Sequence, residues 1–159
     1  MVNQPRHTVG AVPVTVSDSL HRADYFASRE NSRALEPYGV TMYQAMSLIY
    51  VAEHEDEMTV NQRAIERYTR LSNPGVKKLI DALERLGYVE RLQDPADNRS
   101  YMLRTTSAGR AQSEVFKTVV AESDARITAA LEPSEKETLI GLLNKLSGRT
   151  AAEKGGYSR

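Results

Sequence analysis

Cysteine is absent from the 159 residues, which excludes disulfides, thiolate metal sites and oxidant sensing through a thiol of this chain. Long apolar runs are lacking too. No stretch approaches the roughly 18 apolar residues of a membrane helix. The nearest secretory-type segment, Val9 to Val16, is broken by Gly10, Pro13 and Thr15, whereas such a signal needs about 7–15 continuous apolar residues. A cytoplasmic location without membrane contact is the expectation. The chain also carries no Walker loop, no Gly-x-Ser-x-Gly elbow and no spaced Ser/His/Asp set. Neither catalysis nor a cofactor is therefore expected. At this length there is room for one domain with a sizeable core, or a small core with helices at its ends, but not for two enzymatic domains.

Net charge is missing as well, since 21 Lys+Arg balance 21 Asp+Glu. The distribution is uneven. Residues 1–57 hold four basic and eight acidic side chains, residues 58–104 nine and six, and residues 105–159 eight and seven. An excess of positive charge in the middle third marks where a polyanion would bind.

Periodicity organises the chain. The first fifteen residues, with Pro5 and Pro13, read as a flexible arm. A helix capped by Ser17 or Asp18 follows, with Val16, Leu20, Ala23 and Ala27 on one face and Pro37 as its stop. A second begins after Thr41, its stripe formed by Met42, Ala45, Met46 and Ile49. A short third helix carries Val60, Ala64, Ile65 and Tyr68. The fourth has Ser72 and Asn73 as caps, Pro74 in its first turn, an apolar face of Val76, Leu79, Ile80, Leu83 and Leu86, and Gly87 as terminator. Period two then replaces period 3.6: Tyr88 to Leu92 and Tyr101 to Arg104 read as strands around the turn Asp94 to Asn98. Thr106 opens a long helix marked by Ala108, Ala111, Val115, Val119 and Ile127. Pro133 and the capping box Ser134-x-x-Glu137 start a last helix, with Leu139, Leu142, Leu143 and Leu146 inward and Gly148 at its end.

Two short helices, Val60 to Tyr68 and Asn73 to Leu86, followed directly by a hairpin make a winged helix-turn-helix, in which the second helix enters the major groove of duplex DNA. The predicted fold is mainly α with a small β-hairpin wing, flanked by N- and C-terminal dimerisation helices. Candidate DNA-contacting residues are Arg70, Ser72, Asn73, Gly75, Lys77 and Lys78, with Asp97 and Arg99 from the hairpin tip. Asparagine pairs with adenine, and lysine donates to guanine or phosphate. A solvated helix face gives the same pattern, and a winged helix used only for protein–protein contact is the rival reading. The basic turn favours DNA, because a partner-binding surface exposes apolar residues.

These residues also resemble a family. Val40-Thr41-x-x-Gln44 is similar to the start of the second helix in the MarR family of winged-helix regulators, and Leu83-Glu84-Arg85-Leu86-Gly87-Tyr88-Val89-Glu90-Arg91 to its "LExxGLVxR" join between recognition helix and wing. Asp94-Pro95-Ala96-Asp97-Asn98-Arg99 resembles the wing signature "DPxDxR", and Thr106-Ser107-Ala108-Gly109-Arg110 the "TxxGR" start of the long helix. Arg70 stands where the family usually has a turn glycine, Gly75 and Lys77 where small hydroxyl residues are frequent, and Asn98 where arginine is common. The resemblance implies a homodimeric transcriptional regulator, a repressor in the first instance. It further implies a pseudo-palindromic operator, Arg99 in the minor groove and Asp97 bracing it.

Segment roles follow: 1–15 arm, 16–36 dimerisation helix, 37–105 DNA-binding lobe, 106–148 C-terminal dimerisation helices and 149–159 disordered tail. Geometry independently favours a dimer, since two recognition helices about 34–36 Å apart match successive major grooves. In the family, aromatic effectors sit between the dimerisation helices and the lobe; Tyr25, Phe26, Arg29, Tyr43, Met46 and Tyr50 are the candidates here, with Arg29 orienting an anionic ligand. Tyrosine and methionine at this spacing also suit an ordinary core. His54-Glu55-Asp56-Glu57 lacks the second histidine of a zincin, having Met58 at that position, and reads as an acidic helix end without metal.

Overall fold

A computed structural model describes residues 14–56, 60–94 and 97–148, without the side chains of 97–99. Most of the expected arm, the expected tail, Glu57 and the side chains of Asp97 and Arg99 lie outside the described residues. Helix α1 spans Val16–Leu35 and is capped by Thr15, whose hydroxyl accepts from the Asp18 amide at 3.1 Å, so the cap lies two residues before the earliest expected one. A 3₁₀ turn, Glu36–Tyr38, then leads into α2, Met42–His54. Thr41 and Gln44 form a reciprocal capping box there: the Thr41 amide donates to Gln44 Oε1 at 2.7 Å and the Gln44 amide to Thr41 Oγ1 at 3.3 Å. That exchange satisfies two amides with no partner inside the helix, and it gives the Thr-x-x-Gln spacing a physical meaning.

Helix α3, Gln62–Thr69, starts later than the periodicity suggests. Asn61 caps it by accepting from the Ala64 amide at 3.0 Å, and the Val60 carbonyl is taken by the Leu103 amide at 2.7 Å. Helix α4, Asn73–Arg85, buries Val76, Leu79, Ile80 and Leu83. Leu86 is 43% exposed rather than part of that face, because it caps the helix. Gly87, at φ 72°, reverses the chain, its amide reaching the Glu84 carbonyl while the Tyr88 amide reaches that of Leu83. This is a Schellman stop, favoured by glycine's freedom in the left-handed region. Strands β1, Val89–Asp94, and β2, Asp97–Thr105, pair antiparallel, with Val89 opposite Thr105 and Asp94 opposite Asp97.

On helix α5, Ser107–Ile127, the expected stripe holds only in part: Val119 packs against the core and Ile127 is half-buried, but the fully buried positions lie elsewhere. Ala108, Ala111 and Val115 are exposed, and Gly109, Ser113, Phe116 and Ser123 are buried. The inner stripe contains glycine and serine because the Tyr88 backbone, α1 and α2 pack closely along it, which hides it from a reading of hydrophobicity. Phe116, fully buried, meets Tyr38 and Tyr88 edge-on with centroids 5.5 and 6.2 Å away. The core thus joins α2, α3, α4 and the wing base to the middle of α5.

Helix α6, Pro133–Leu146, starts from a box two residues earlier than expected, the Glu132 amide donating to Glu135 at 2.9 Å. It buries no residue. Leu139, Ile140, Leu142, Leu143 and Leu146 are 41, 60, 60, 39 and 62% exposed, so the stripe expected to face inward is uncovered within one chain.

Candidate nucleic-acid interface

The turn between α3 and α4 is built around Arg70, whose φ of 59° is the one left-handed non-glycine backbone among the described residues. Its amide donates to the Glu66 carbonyl at 2.9 Å and closes α3. Two residues on, Ser72 starts α4 without bonding through its hydroxyl to the helix amides. Asn73 is exposed, and its Nδ2 donates to Glu66 Oε1 at 2.8 Å, where Gln62 Nε2 also donates at 3.1 Å. Lys77 and Lys78 are exposed on the same helix, and Gly75 is half-buried.

Sequence reasoning missed two further cations. Arg63 and Arg67 lie one turn apart on the exposed side of α3, opposite the buried Ala64 and Ile65, and Arg70 continues their row. The i, i+4, i+7 spacing was the available signal. The positive excess of the middle third is therefore split. Arg63, Arg67, Arg70, Lys77 and Lys78 face solvent, whereas Arg91 turns inward to Asp81 and Glu84 of α4. That fork holds the wing against α4. At the tip, Ser100 donates to Asp94 at 3.2 Å across the hairpin.

A third missed residue, Glu55, joins the lobe to α5. The Glu55 side chain is 1% exposed and accepts from the Thr105 amide at 2.6 Å, from the Thr105 hydroxyl at 2.7 Å and from Arg110. Arg104 meanwhile donates to the Glu55 carbonyl. Buried carboxylates persist only when paired and hydrogen-bonded, and here the donors come from the wing base and from α5. Next to it, Lys117 pairs with Glu114 at 2.8 Å and with Glu53 at 3.3 Å. The hydrogen bond to Glu114 is the chief cause that holds the Lys117 ammonium above the usual lysine range; burial opposes it and Glu53 adds to it. The Thr-x-x-Gly-Arg motif acquires a mechanical meaning. Thr106 caps α5 through the Gly109 amide and donates to the Gly87 carbonyl at 2.6 Å, Gly109 abuts Tyr88, and Arg110 reaches Glu55.

The effector candidates are spread over two environments. Tyr25, Phe26 and Tyr43 are exposed by 67, 42 and 52%, and Arg29 is exposed with only a 3.9 Å approach to Glu30. Met46 lies in the core. Tyr50 stacks between His54 and Tyr68, centroids 4.3 and 4.4 Å away. His54 Nδ1 donates to the Tyr50 carbonyl at 2.9 Å.

Such a helix pair, with a hairpin clamped to its second member and a long helix leaving the base, defines a winged helix-turn-helix protein. Residues 38–100 match the MarR family. The uncharacterized HTH-type transcriptional regulator YkoM of Bacillus subtilis is 30% identical over 108 residues, 68% of this chain and 67% of YkoM. A probable transcriptional regulator from Pseudomonas aeruginosa has a similar structure, with TM-score 0.75 and 25% identity over 83% of this chain and 96% of that one. The transcriptional repressor CouR, solved on a 23-mer DNA duplex, gives TM-score 0.75 and 25% identity over 84% and 92% of the two chains. The chain belongs to the MarR family and is a helix-turn-helix transcriptional regulator. No helix among the described residues is long and apolar enough to cross a membrane.

Proposed function

We propose that the protein binds a pseudo-palindromic duplex DNA site as a homodimer and represses transcription from it. The observation that carries this reading is the exposed row Arg63, Arg67 and Arg70 on α3 and its turn, continued by Lys77 and Lys78 on α4, over a helix pair whose apolar side is fully used by the core. Cations so placed neutralise phosphates flanking a major groove into which the head of α4 fits. CouR, with the same fold, is a repressor solved on DNA. A second copy is the occupant that suits α6, because an isolated helix shorter than about 12–15 residues is marginal in water, and α6 has 14 residues and buries none. The exposed Tyr25 and Phe26, one turn before Arg29 on α1, suit a small aromatic or anionic effector that releases the DNA.

Gel shift of fragments upstream of the protein's own gene, with excess competitor DNA and at several salt concentrations, tests the proposal. A retained, sequence-dependent complex that weakens steeply with salt supports it. Equal retention of every fragment, or none, overturns it.

A further inference from the structure

We propose that Glu66 is a positioning residue that decides which base Asn73 reads; the inference rests on α4 being the helix that enters the major groove. An ionised carboxylate has acceptors only. Whatever amide meets it must present its nitrogen, and this fixes the two amides that converge on Oε1: Asn73 at 2.8 Å and Gln62 at 3.1 Å. Glu66 is half-buried between them, while Asn73 is exposed on the first turn of α4. With one Nδ2 hydrogen committed to Glu66, Asn73 retains one donor hydrogen and the acceptor Oδ1. That pair matches adenine, whose major-groove edge offers N7 as acceptor and the N6 amino group as donor. Guanine offers two acceptors there, N7 and O6. Serving both from one amide nitrogen needs both hydrogens, and Glu66 holds one of them. Glu66 therefore tilts the choice toward adenine and against guanine without touching the DNA.

The test uses the full chain and a duplex selected by the wild-type protein from a randomised pool. Affinities for that duplex and for each of its adenine-to-guanine changes are measured for wild type, Asn73→Ala, Glu66→Ala and Glu66→Gln, together with urea midpoints. Asn73→Ala is expected to erase an adenine preference of about 5–150-fold at one base pair per half-site. Glu66→Ala should narrow the preference at that same base pair by roughly fivefold or more and leave the ratios at all other positions unchanged. Glu66→Gln, which keeps an acceptor oxygen but can turn its amide over, should fall between. Loss of a negative charge can raise affinity for every duplex, but that alters no ratio, and a purely structural role would lower the midpoint and all ratios together. The inference is overturned if Glu66→Ala and Glu66→Gln keep the wild-type ratio where Asn73→Ala loses it, or if Asn73→Ala loses no base preference. A wild type that prefers no sequence would overturn the DNA-reading proposal itself, and this inference with it.

Discussion

Glu55 and Arg110 form an ion pair in which the Glu55 side chain is 1% exposed and the Arg110 side chain 55%. The asymmetry has an energetic consequence. Glu55 cannot be rehydrated if its donors leave, whereas Arg110 can, so the pair belongs energetically to the lobe and mechanically to α5. Because Thr105 donates to the same carboxylate, a displacement of α5 is felt at the base of the wing.

Glu55→Ala is expected to destabilise the fold by on the order of 3 kcal/mol, since it strands the Thr105 donors and removes a buried charge partner. The double-mutant cycle with Arg110→Ala should give a coupling of about 1–3 kcal/mol by urea denaturation. Additivity within about 0.3 kcal/mol would show that the two residues act separately.

Gly109 and Gly75 should respond to alanine with opposite signs. A Cβ on Gly109 would stand 1.8 Å from the Tyr88 carbonyl oxygen, so α5 must move away from the join between α4 and β1. A loss of about 3 kcal/mol or more is expected. On Gly75 the added Cβ meets Ser72 Oγ at 3.4 Å and Leu71 Cβ at 3.6 Å. Inside a helix that change stabilises by roughly 0.5–1 kcal/mol. If Gly75→Ala gained stability yet lost DNA affinity, close approach of DNA to that turn would be the cause; unchanged affinity would remove Gly75 from the interface.

Arg70→Gly should stabilise the protein while weakening DNA binding. Relief of about 1–2 kcal/mol of left-handed backbone strain exceeds the roughly 0.5–1 kcal/mol that glycine costs through the unfolded chain. A net gain of about 0.5–1 kcal/mol in thermal or urea unfolding is the expected reading. Arg70→Ala, which keeps the strain and drops the charge, should lose affinity equally without that gain. A destabilised Arg70→Gly would mean that the side chain's own contacts outweigh the strain.

Leu142→Glu should convert a concentration-dependent dimer to monomer by light scattering, because it places a charge within the row of leucines that α6 exposes. Val115 on α5, exposed by 40%, provides a milder site for the same change. A wild-type protein that scatters as a monomer at micromolar concentration would remove the geometric basis for a palindromic site.

The order of elements was legible because each boundary is written in local chemistry: Thr41 with Gln44, Pro74, Gly87, and the alternation across β1 and β2. What was not legible depends on partners distant in the chain. The inner face of α5 carries Gly109, Ser113 and Ser123, and its serines and glycine become meaningful only against Tyr88 and α1, where Ser123 donates to Asn31 at 2.9 Å. Glu55 resembled an acidic helix end because Arg110 lies 55 residues away. In the candidate interface, charge counted along the chain treated Arg91 like Lys77, although the first clamps the wing and only the second faces solvent. Arg63 and Arg67 were not legible as interface candidates because they lie on α3, outside the helix whose first turns carry Asn73, Lys77 and Lys78.

The division of labour among the cations can be read from salt dependence. Each phosphate contact removed should lower the slope of log affinity against log salt by about 0.9, whatever the sequence of the duplex. Arg63→Ala and Arg67→Ala are expected to behave this way, because both residues lie on α3, the helix that on the proposed reading stays outside the groove. Lys77→Ala and Lys78→Ala sit on the first turns of α4, opposite the buried Val76, Leu79 and Ile80. Either change should leave the lobe folded, and a lysine that reaches a base edge should cost roughly 1–3 kcal/mol at one position instead of a uniform loss. Arg99 lies near the start of β2, at the tip of a hairpin held to α4 by Arg91, and narrow A·T-rich minor grooves attract arginine through their more negative potential. Arg99→Ala should therefore lose affinity mainly on duplexes with A·T-rich flanks, and Arg91→Ala should reproduce much of that loss by freeing the wing while leaving the slope assigned to Arg63 and Arg67 intact. Titrations of these variants against matched, mismatched and G·C-flanked duplexes at several salt concentrations separate the three behaviours. If Arg99→Ala bound every duplex as wild type does at all salts, the wing would take no part in binding, and the contribution of Arg91 would reduce to stability alone.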